Sequence, residues 1–259
     1  MIDNALQSTA PTVSNQFSWH RVWSIASLYQ PAIKWQIVIY TAISFATGFL
    51  AYFLSANLLG VLAYGMLGFV TGFLAYFGSL VFARRSNMIV ETMLPATGAE
   101  KSVFYIGYSL IIIPIALYLP YYAVMFIGNW IHPIVGEFSE LLDIQNKMTV
   151  ESYGLNLMQS LLPMAVCLYV VMASTKNRIV KAVAWTIGVN ILMGLVGMIY
   201  GIVIALSGKF TPDEGSAYNM GIAIGENMSA LIMICGAASL AISLVFVWLT
   251  YRKISTRQL

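Results

Sequence analysis

Positions 35–83, a stretch of 49 residues without one charged side chain, limit most strongly what this chain can fold into. A helix needs about 20 apolar residues to cross a bilayer, so this stretch is long enough for two such helices. Only 9% of all residues are charged, whereas a soluble domain carries roughly 25%. Because so few charges cannot cover a globule with a polar surface, most of the surface has to face lipid. This excludes a soluble enzyme, a nucleic-acid-binding protein and a disordered protein.

The uncharged intervals predict an all-α polytopic membrane protein with six transmembrane helices. A second long uncharged interval covers residues 102–136, and further apolar runs follow it toward the C-terminus. Each run is long enough to form a spanning helix. We place the spans at about Ile37–Leu54, Leu58–Ala83, Val103–Ile127, Ser152–Thr175, Ala182–Gly208 and Asn227–Tyr251.

The basic residues predict the orientation of these spans. An even number of spans puts both termini on the same side of the membrane. That side carries all of the 13 lysines and arginines except Lys147 and Lys209. Because positive residues resist translocation, we expect a plasma membrane protein whose N- and C-termini are both cytoplasmic.

The composition divides the chain into three parts. Residues 1–16 form a polar N-terminal tail, residues 17–30 are predicted to form an interfacial elbow helix that ends before Pro31, and residues 31–259 form the six-helix transmembrane domain. The elbow has one apolar face, formed at helical spacing by Trp19, Val22, Trp23, Ala26 and Tyr29. This pattern is typical of an amphipathic helix at the membrane interface, although a simple aromatic anchor would have the same residues.

The sequence predicts no catalytic, cofactor-binding or metal site, and we do not expect an enzyme. The chain has two histidines, His20 and His132, and it contains neither an HExxH pair nor the GxxxxGK[ST] loop that binds phosphate. The chain therefore has no P-loop of its own with which to hydrolyse ATP. Glu226 is the one candidate for ion coupling, but it lies at the outer edge of the sixth span, where it can reach water. A driving force is expected to come from another subunit.

The turn between the second and third predicted spans, residues 84–101, carries the most information about function. It contains a short apolar stretch, too short to be a span, that ends at Pro95. Thr97 and Glu100 then have the spacing of a capping box, in which the threonine caps a helix and the glutamate reaches back three residues. Such a helix with apolar side chains is a surface that another protein can bind. An ordinary interhelical turn with good caps would contain the same residues.

This turn resembles a cytoplasmic loop of the permease subunits of ABC-2 type transporters. In that family a Leu-Pro or Thr-Pro pair is followed by a serine or threonine two residues after the proline and a glutamate five residues after it. The corresponding residues of this sequence are Leu94, Pro95, Thr97 and Glu100. Six spans, cytoplasmic termini, an amphipathic elbow helix and a short first external turn are also similar. The sequence departs from the family pattern at Gly98, where a basic residue is common, and at Glu91, which is shifted.

The resemblance implies a transmembrane permease subunit of an ATP-driven exporter. Two permease copies, as a homo- or heterodimer, would each dock this loop on a separate P-loop ATPase subunit, and membrane lipid would surround them. The ATPase-coupling residues that the resemblance implies are Glu91, Met93, Leu94, Pro95, Thr97, Glu100 and Lys101. Two alternatives stay open at this point. One is a non-transporting membrane scaffold or accessory subunit, and the other is a secondary carrier or an intramembrane enzyme with unfamiliar chemistry.

Overall fold

The computed structural model describes residues 17–54, 70–83, 96–131, 160–206 and 217–256, and every regular element in these ranges is helical. In chain order the elements are α1 (Trp19–Leu54), α2 (Val70–Ala83, ending in the 3-10 segment Gly78–Ala83), α3 (Gly98–Gly107), a π-helical turn (Tyr108–Ile112), α4 (Ile113–Ile131), α5 (Ser160–Ala173), α6 (Arg178–Leu206) and α7 (Ala217–Thr256).

Four helical stretches are long and apolar enough to cross a membrane. They are Trp19–Phe53, Gly98–Gly128, Arg178–Val196 and Cys235–Thr256. α2 and α5 are also apolar but shorter within the described part of the chain. The helical, apolar character predicted from the sequence is therefore present, and four of the six predicted spans coincide with helices of spanning length.

All six tryptophans lie on the outside of these helices. Their exposed fractions run from 55% at Trp248 to 81% at Trp130. Large aromatic side chains contribute most when they are removed from water, and the membrane interface provides such an environment for tryptophan. The outer surface of the helices is thus suited to contact with lipid.

α1 runs parallel to α3 and α4. Four successive contacts, each further along both partners, are Arg21–Glu100, Tyr29–Tyr105, Gln36–Tyr108 and Ser44–Leu117. α2 runs in the opposite direction against the same helices, because Thr71 meets Thr47 and Phe82 meets Tyr29. Arg21 and Lys101 therefore lie at the same end of the bundle, which we call the basic end.

α5 lies in the core, with every residue from Leu162 to Leu168 buried. The Ser79 hydroxyl of α2 donates a hydrogen bond of 3.2 Å to the Cys167 sulfur of α5. On another side, the Tyr169 ring meets Phe246 of α7 at a centroid distance of 5.5 Å. α5 therefore connects the helices on both sides of it.

α1 continues through Pro31 as one helix of 36 residues. The sequence predicts a separate elbow over residues 17–30, whereas the structure makes this segment the first part of a longer helix. At about 1.5 Å per residue, α1 is about 54 Å long and exceeds the roughly 30 Å thickness of the hydrocarbon core. Part of α1 therefore has to extend beyond the apolar layer of a membrane.

The predicted apolar face of this first segment is divided between two environments. Tyr29 is 4% exposed, and Val22 packs against the same core. Trp19 and Trp23, in contrast, are exposed. The fully buried position is Ile25, which the periodicity did not single out. The apolar arc of this helix is wider than its contact with the bundle, so its two tryptophans face outward.

Candidate functional site

The structure places the second half of the predicted coupling loop at the start of α3. It describes Thr97, Glu100 and Lys101. Outside the described residues lie Glu91, Met93, Leu94 and Pro95. The described residues of the loop are those that join it to the helix that follows.

The predicted capping box is confirmed. Thr97 has an extended backbone, with φ −70° and ψ 156°, and stands just before the first residue of α3. Its hydroxyl accepts a hydrogen bond of 3.4 Å from the Glu100 backbone N–H. In return, the Thr97 backbone N–H donates to Glu100 Oε2 at 2.9 Å. Two N–H groups that the first turn of a helix leaves without partners are satisfied in this way.

The other oxygen of Glu100 reaches a second helix. Glu100 Oε1 accepts a hydrogen bond of 2.7 Å from the Ser18 backbone N–H and lies 3.0 Å from Arg21 Nε. Ser18 stands at the start of α1, because its carbonyl accepts from the backbone N–H groups of Arg21 and Val22. One carboxylate therefore joins the beginnings of α1 and α3. We call Ser18, Arg21, Thr97 and Glu100 together the Glu100 joint.

Electrostatics favour a charged carboxylate at this position. Glu100 is fully buried, and burial alone would disfavour the charge. The two backbone N–H donors and the Arg21 guanidinium stabilise the charged carboxylate and so oppose the effect of burial. The Arg21 side chain is 22% exposed. The positive ends of two helix dipoles also meet at Glu100, since both α1 and α3 begin there. The negative charge is thus held between two helix starts.

A cluster of rings continues the contact away from the joint. At four-residue spacing from Arg21 and Glu100 follow Ile25, Tyr29, Phe104 and Tyr108, all of them buried. The Tyr29 and Phe104 rings stack at 5.6 Å, and Phe82 of α2 meets Tyr29 edge to face at 5.5 Å. The hydroxyls of Tyr29 and Tyr105 lie 3.0 Å apart. The starts of α1 and α3 are therefore packed as one unit together with the end of α2.

Lys101 does not face outward. The resemblance places it among the residues that contact an ATPase or lipid head groups, but the structure leaves it only 5% exposed. Its backbone N–H donates to the Thr97 carbonyl at 3.1 Å, as the first turn of α3 requires. Lys101 is thus enclosed by this chain, and its role in ATPase coupling stays a prediction.

Sequence reasoning missed Ser18 and Arg21. Ser18 is separated from Glu100 by 82 residues, so no local spacing connects them. The only available signal was Arg21, a basic residue in the elbow that could pair with the glutamate of a capping box. A capping glutamate needs just one of its two oxygens for the box, and the second oxygen was open to a partner that only the packing of α1 determines.

The described ranges contain no group of three or more histidine, cysteine, aspartate or glutamate side chains that could hold a metal ion. No protein-family model, curated protein or solved structure matches the chain. Its function therefore has to be argued from the residues themselves.

Proposed function

We propose that this chain is the transmembrane permease subunit of an ATP-driven exporter of the ABC-2 type. In this proposal the loop 84–101 docks on a separate P-loop ATPase subunit at the cytoplasmic face of the plasma membrane. A second permease copy, identical or related, completes the translocation path. The observation that carries the proposal is the Glu100 joint, which ties the end of the docking loop to the starts of two helices.

A docking loop can move a membrane domain only if it is rigidly attached to that domain. Glu100 fulfils this requirement because its carboxylate holds Thr97 of the loop and Ser18 of α1 at hydrogen-bond distance. A displacement of the loop would shift both helix starts together. From there α1 contacts α4 as far as Tyr52 and Gly128, so the shift would extend along the helix pair.

The distribution of charge supports the proposed orientation. Arg21 and Lys101 lie at the basic end, and Lys34 follows within the first half of α1. Arg178 stands at the start of α6, and its neighbour Ile179 lines a groove together with Pro31 of α1. The start of α6, with its arginine, therefore lies beside the first half of α1. Under the positive-inside rule, the basic end is the cytoplasmic end, where a soluble ATPase is available.

A photo-crosslinking amino acid placed at position 94 tests this proposal. In native membranes, the Leu94 variant is expected to form a crosslink to a P-loop ATPase, which is identified by its mass. The matched control carries the same crosslinker at Lys209, which is predicted to lie on the opposite side of the membrane, and it is expected to give no ATPase crosslink. Crosslinks from position 94 to lipid alone, or to a partner without a P-loop, would favour the scaffold function and overturn the proposal.

A further inference from the structure

A groove of about 700 Å³ lies between α1, the end of α2 and the first turn of α6. Its walls include Pro31, Trp35, Ile39, Leu80, Val81 and Ile179. Trp35 is 68% exposed and Ile39 is 50% exposed, so the groove opens sideways on the surface that faces lipid. Its volume lies in the range of roughly 300–1,000 Å³ that small-molecule sites occupy.

The Gln36 side chain, the amide in the wall of the groove, is already paired with the protein. The Gln36 amide nitrogen donates to the Gly78 carbonyl at 3.0 Å, and its oxygen accepts from the Tyr108 hydroxyl at 2.8 Å. Tyr40, another wall residue, lies one helical turn after Gln36 on α1. A polar solute would find few free partners in this groove and would lose its hydration on entry. A hydrocarbon chain makes no hydrogen bonds and would lose no hydration on entry.

Positive charge flanks the groove. Lys34 follows Pro31 by three residues and so lies about 60° round α1 from it, beside the edge of the groove that Pro31 forms. Lys176 stands in the link before α6, three residues ahead of Ile179. Both lysines are exposed. An apolar groove with lysines beside it is complementary to a molecule that has a hydrocarbon chain and an anionic head group.

We propose that this groove binds one anionic phospholipid, with an acyl chain along Trp35 and Ile39 and the head-group phosphate at Lys34 and Lys176. The lipid comes from the membrane leaflet at the basic end. Such a lipid fills the space between α1 and α6 and remains attached when the surrounding lipids exchange. The site does not involve the ATPase loop, so its test is independent of the transport function.

Native mass spectrometry of the purified full-length protein tests the charge of the bound lipid. The probes are dioleoyl phosphatidylglycerol and dioleoyl phosphatidylcholine, supplied in equal amounts in mild detergent. We expect one phosphatidylglycerol to stay bound in preference to phosphatidylcholine. Lys34→Gln and Lys176→Gln are each expected to reduce this preference about five-fold, because a lysine near a charged lipid surface contributes on that scale.

Lys181→Gln is the matched control for charge. Lys181 follows Ile179 by two residues and therefore projects from the opposite side of α6. It is expected to leave the preference unchanged. Equal retention of the two lipids by the wild-type protein, or the same loss in Lys181→Gln as in Lys176→Gln, would overturn the proposal.

Ile39→Trp tests whether the groove itself is the binding site. The larger side chain is expected to fill the groove and remove the bound phosphatidylglycerol, while Ile191→Trp on the exposed surface of α6 retains it. Retention by a folded Ile39→Trp protein, with an unfolding temperature near that of the wild type, would contradict binding in the groove. Should Ile39→Trp fail to fold, the surface lysine variants decide the question alone.

Discussion

α1 is held to its parallel neighbours in two different ways along its length. At the basic end, it meets α3 through the Glu100 joint, with an ion pair and hydrogen bonds to backbone N–H groups. In the far half, the Thr41 hydroxyl of α1 meets the Ala116 carbonyl of α4 and the Tyr52 ring packs against Gly128, so hydroxyls and small residues make much of the contact. A Cβ added at Gly48 would meet the Tyr121 carbonyl at 3.1 Å, and the Ser44 hydroxyl donates to the Leu117 carbonyl.

This difference follows from the two environments. In lipid, helices gain nothing from the hydrophobic effect against each other, so close backbone approach and hydrogen bonds of about 0.6 kcal/mol hold them. At the membrane boundary, a buried carboxylate with a complete set of partners can specify which helix starts meet. Removal of one partner there leaves the others buried and unsatisfied. We therefore expect the joint to be more sensitive to single substitutions than the far half.

Glu100→Ala is expected to have the largest effect and to lower the free energy of unfolding by about 3 kcal/mol. It leaves Arg21 without its carboxylate and two backbone N–H groups without acceptors. Reversible unfolding in one detergent, followed by circular dichroism, measures the change. Glu100→Gln keeps an acceptor oxygen and is expected to lose less. A Glu100→Ala variant as stable as the wild type would contradict the expectation that the joint is more sensitive to single substitutions than the far half.

Gly48→Leu is expected to destabilise the far half by about 1–3 kcal/mol, because the new side chain has to displace the backbone of Tyr121 and the Cβ of Val124. Gly188→Leu on α6 is the matched control, since no atom lies within 4 Å of a Cβ at that position. The same unfolding measurement is expected to show a loss for the first variant alone. Equal losses for both would contradict a role for the close approach at Gly48, because leucine has a higher helix propensity than glycine at either position.

Thr97→Ala is expected to cost about 1 kcal/mol through loss of the cap hydroxyl. The Thr97 backbone N–H keeps its bond to Glu100, so half of the capping box survives. Thr256→Ala, which removes an exposed hydroxyl bonded to the Lys253 carbonyl within α7, serves as the control and is expected to change little. The same unfolding measurement checks this. A shift of the unfolding midpoint no larger than that of the control would show that the Thr97 hydroxyl is dispensable for stability.

Ser44→Ala is expected to have the smallest effect, about 0.6 kcal/mol. Its hydroxyl bond to the Leu117 carbonyl joins α1 and α4, but that carbonyl also belongs to a helix. Thermal unfolding of Ser44→Ala and Thr97→Ala under the same conditions compares a polar contact of the far half with one of the Glu100 joint. If Ser44→Ala were the more damaging of the two, the far half would depend on polar contacts more than the joint does.

The sequence was sufficient for features that depend on local pattern. Uncharged apolar runs predict the helices because each run alone satisfies the length that a membrane requires. The Thr97–Glu100 box follows from residue type and a spacing of three. Two described apolar helices, α2 and α5, are shorter than a span within the described ranges, and so four of six predicted spans are matched in length.

Features that depend on packing were beyond the sequence. The pairing of Arg21 with Glu100 brings together distant parts of the chain, and no periodicity encodes it. The continuation of α1 through Pro31 is similar, because a proline predicts a boundary that neighbouring helices can override. Periodicity also could not decide which apolar side chains of the elbow face lipid, since Trp23 and Ile25 both count as apolar.

We propose that an ATPase drives this chain, and a pull-down of the tagged protein from its native membranes in mild detergent tests this proposal most directly. Partners are identified by mass. We expect a stoichiometric P-loop ATPase that is retained by Lys209→Ala and lost from Leu94→Asp. A monomer or dimer that contains no ATPase under conditions that keep the protein folded would contradict it, and a membrane scaffold or a carrier would then be the better explanation.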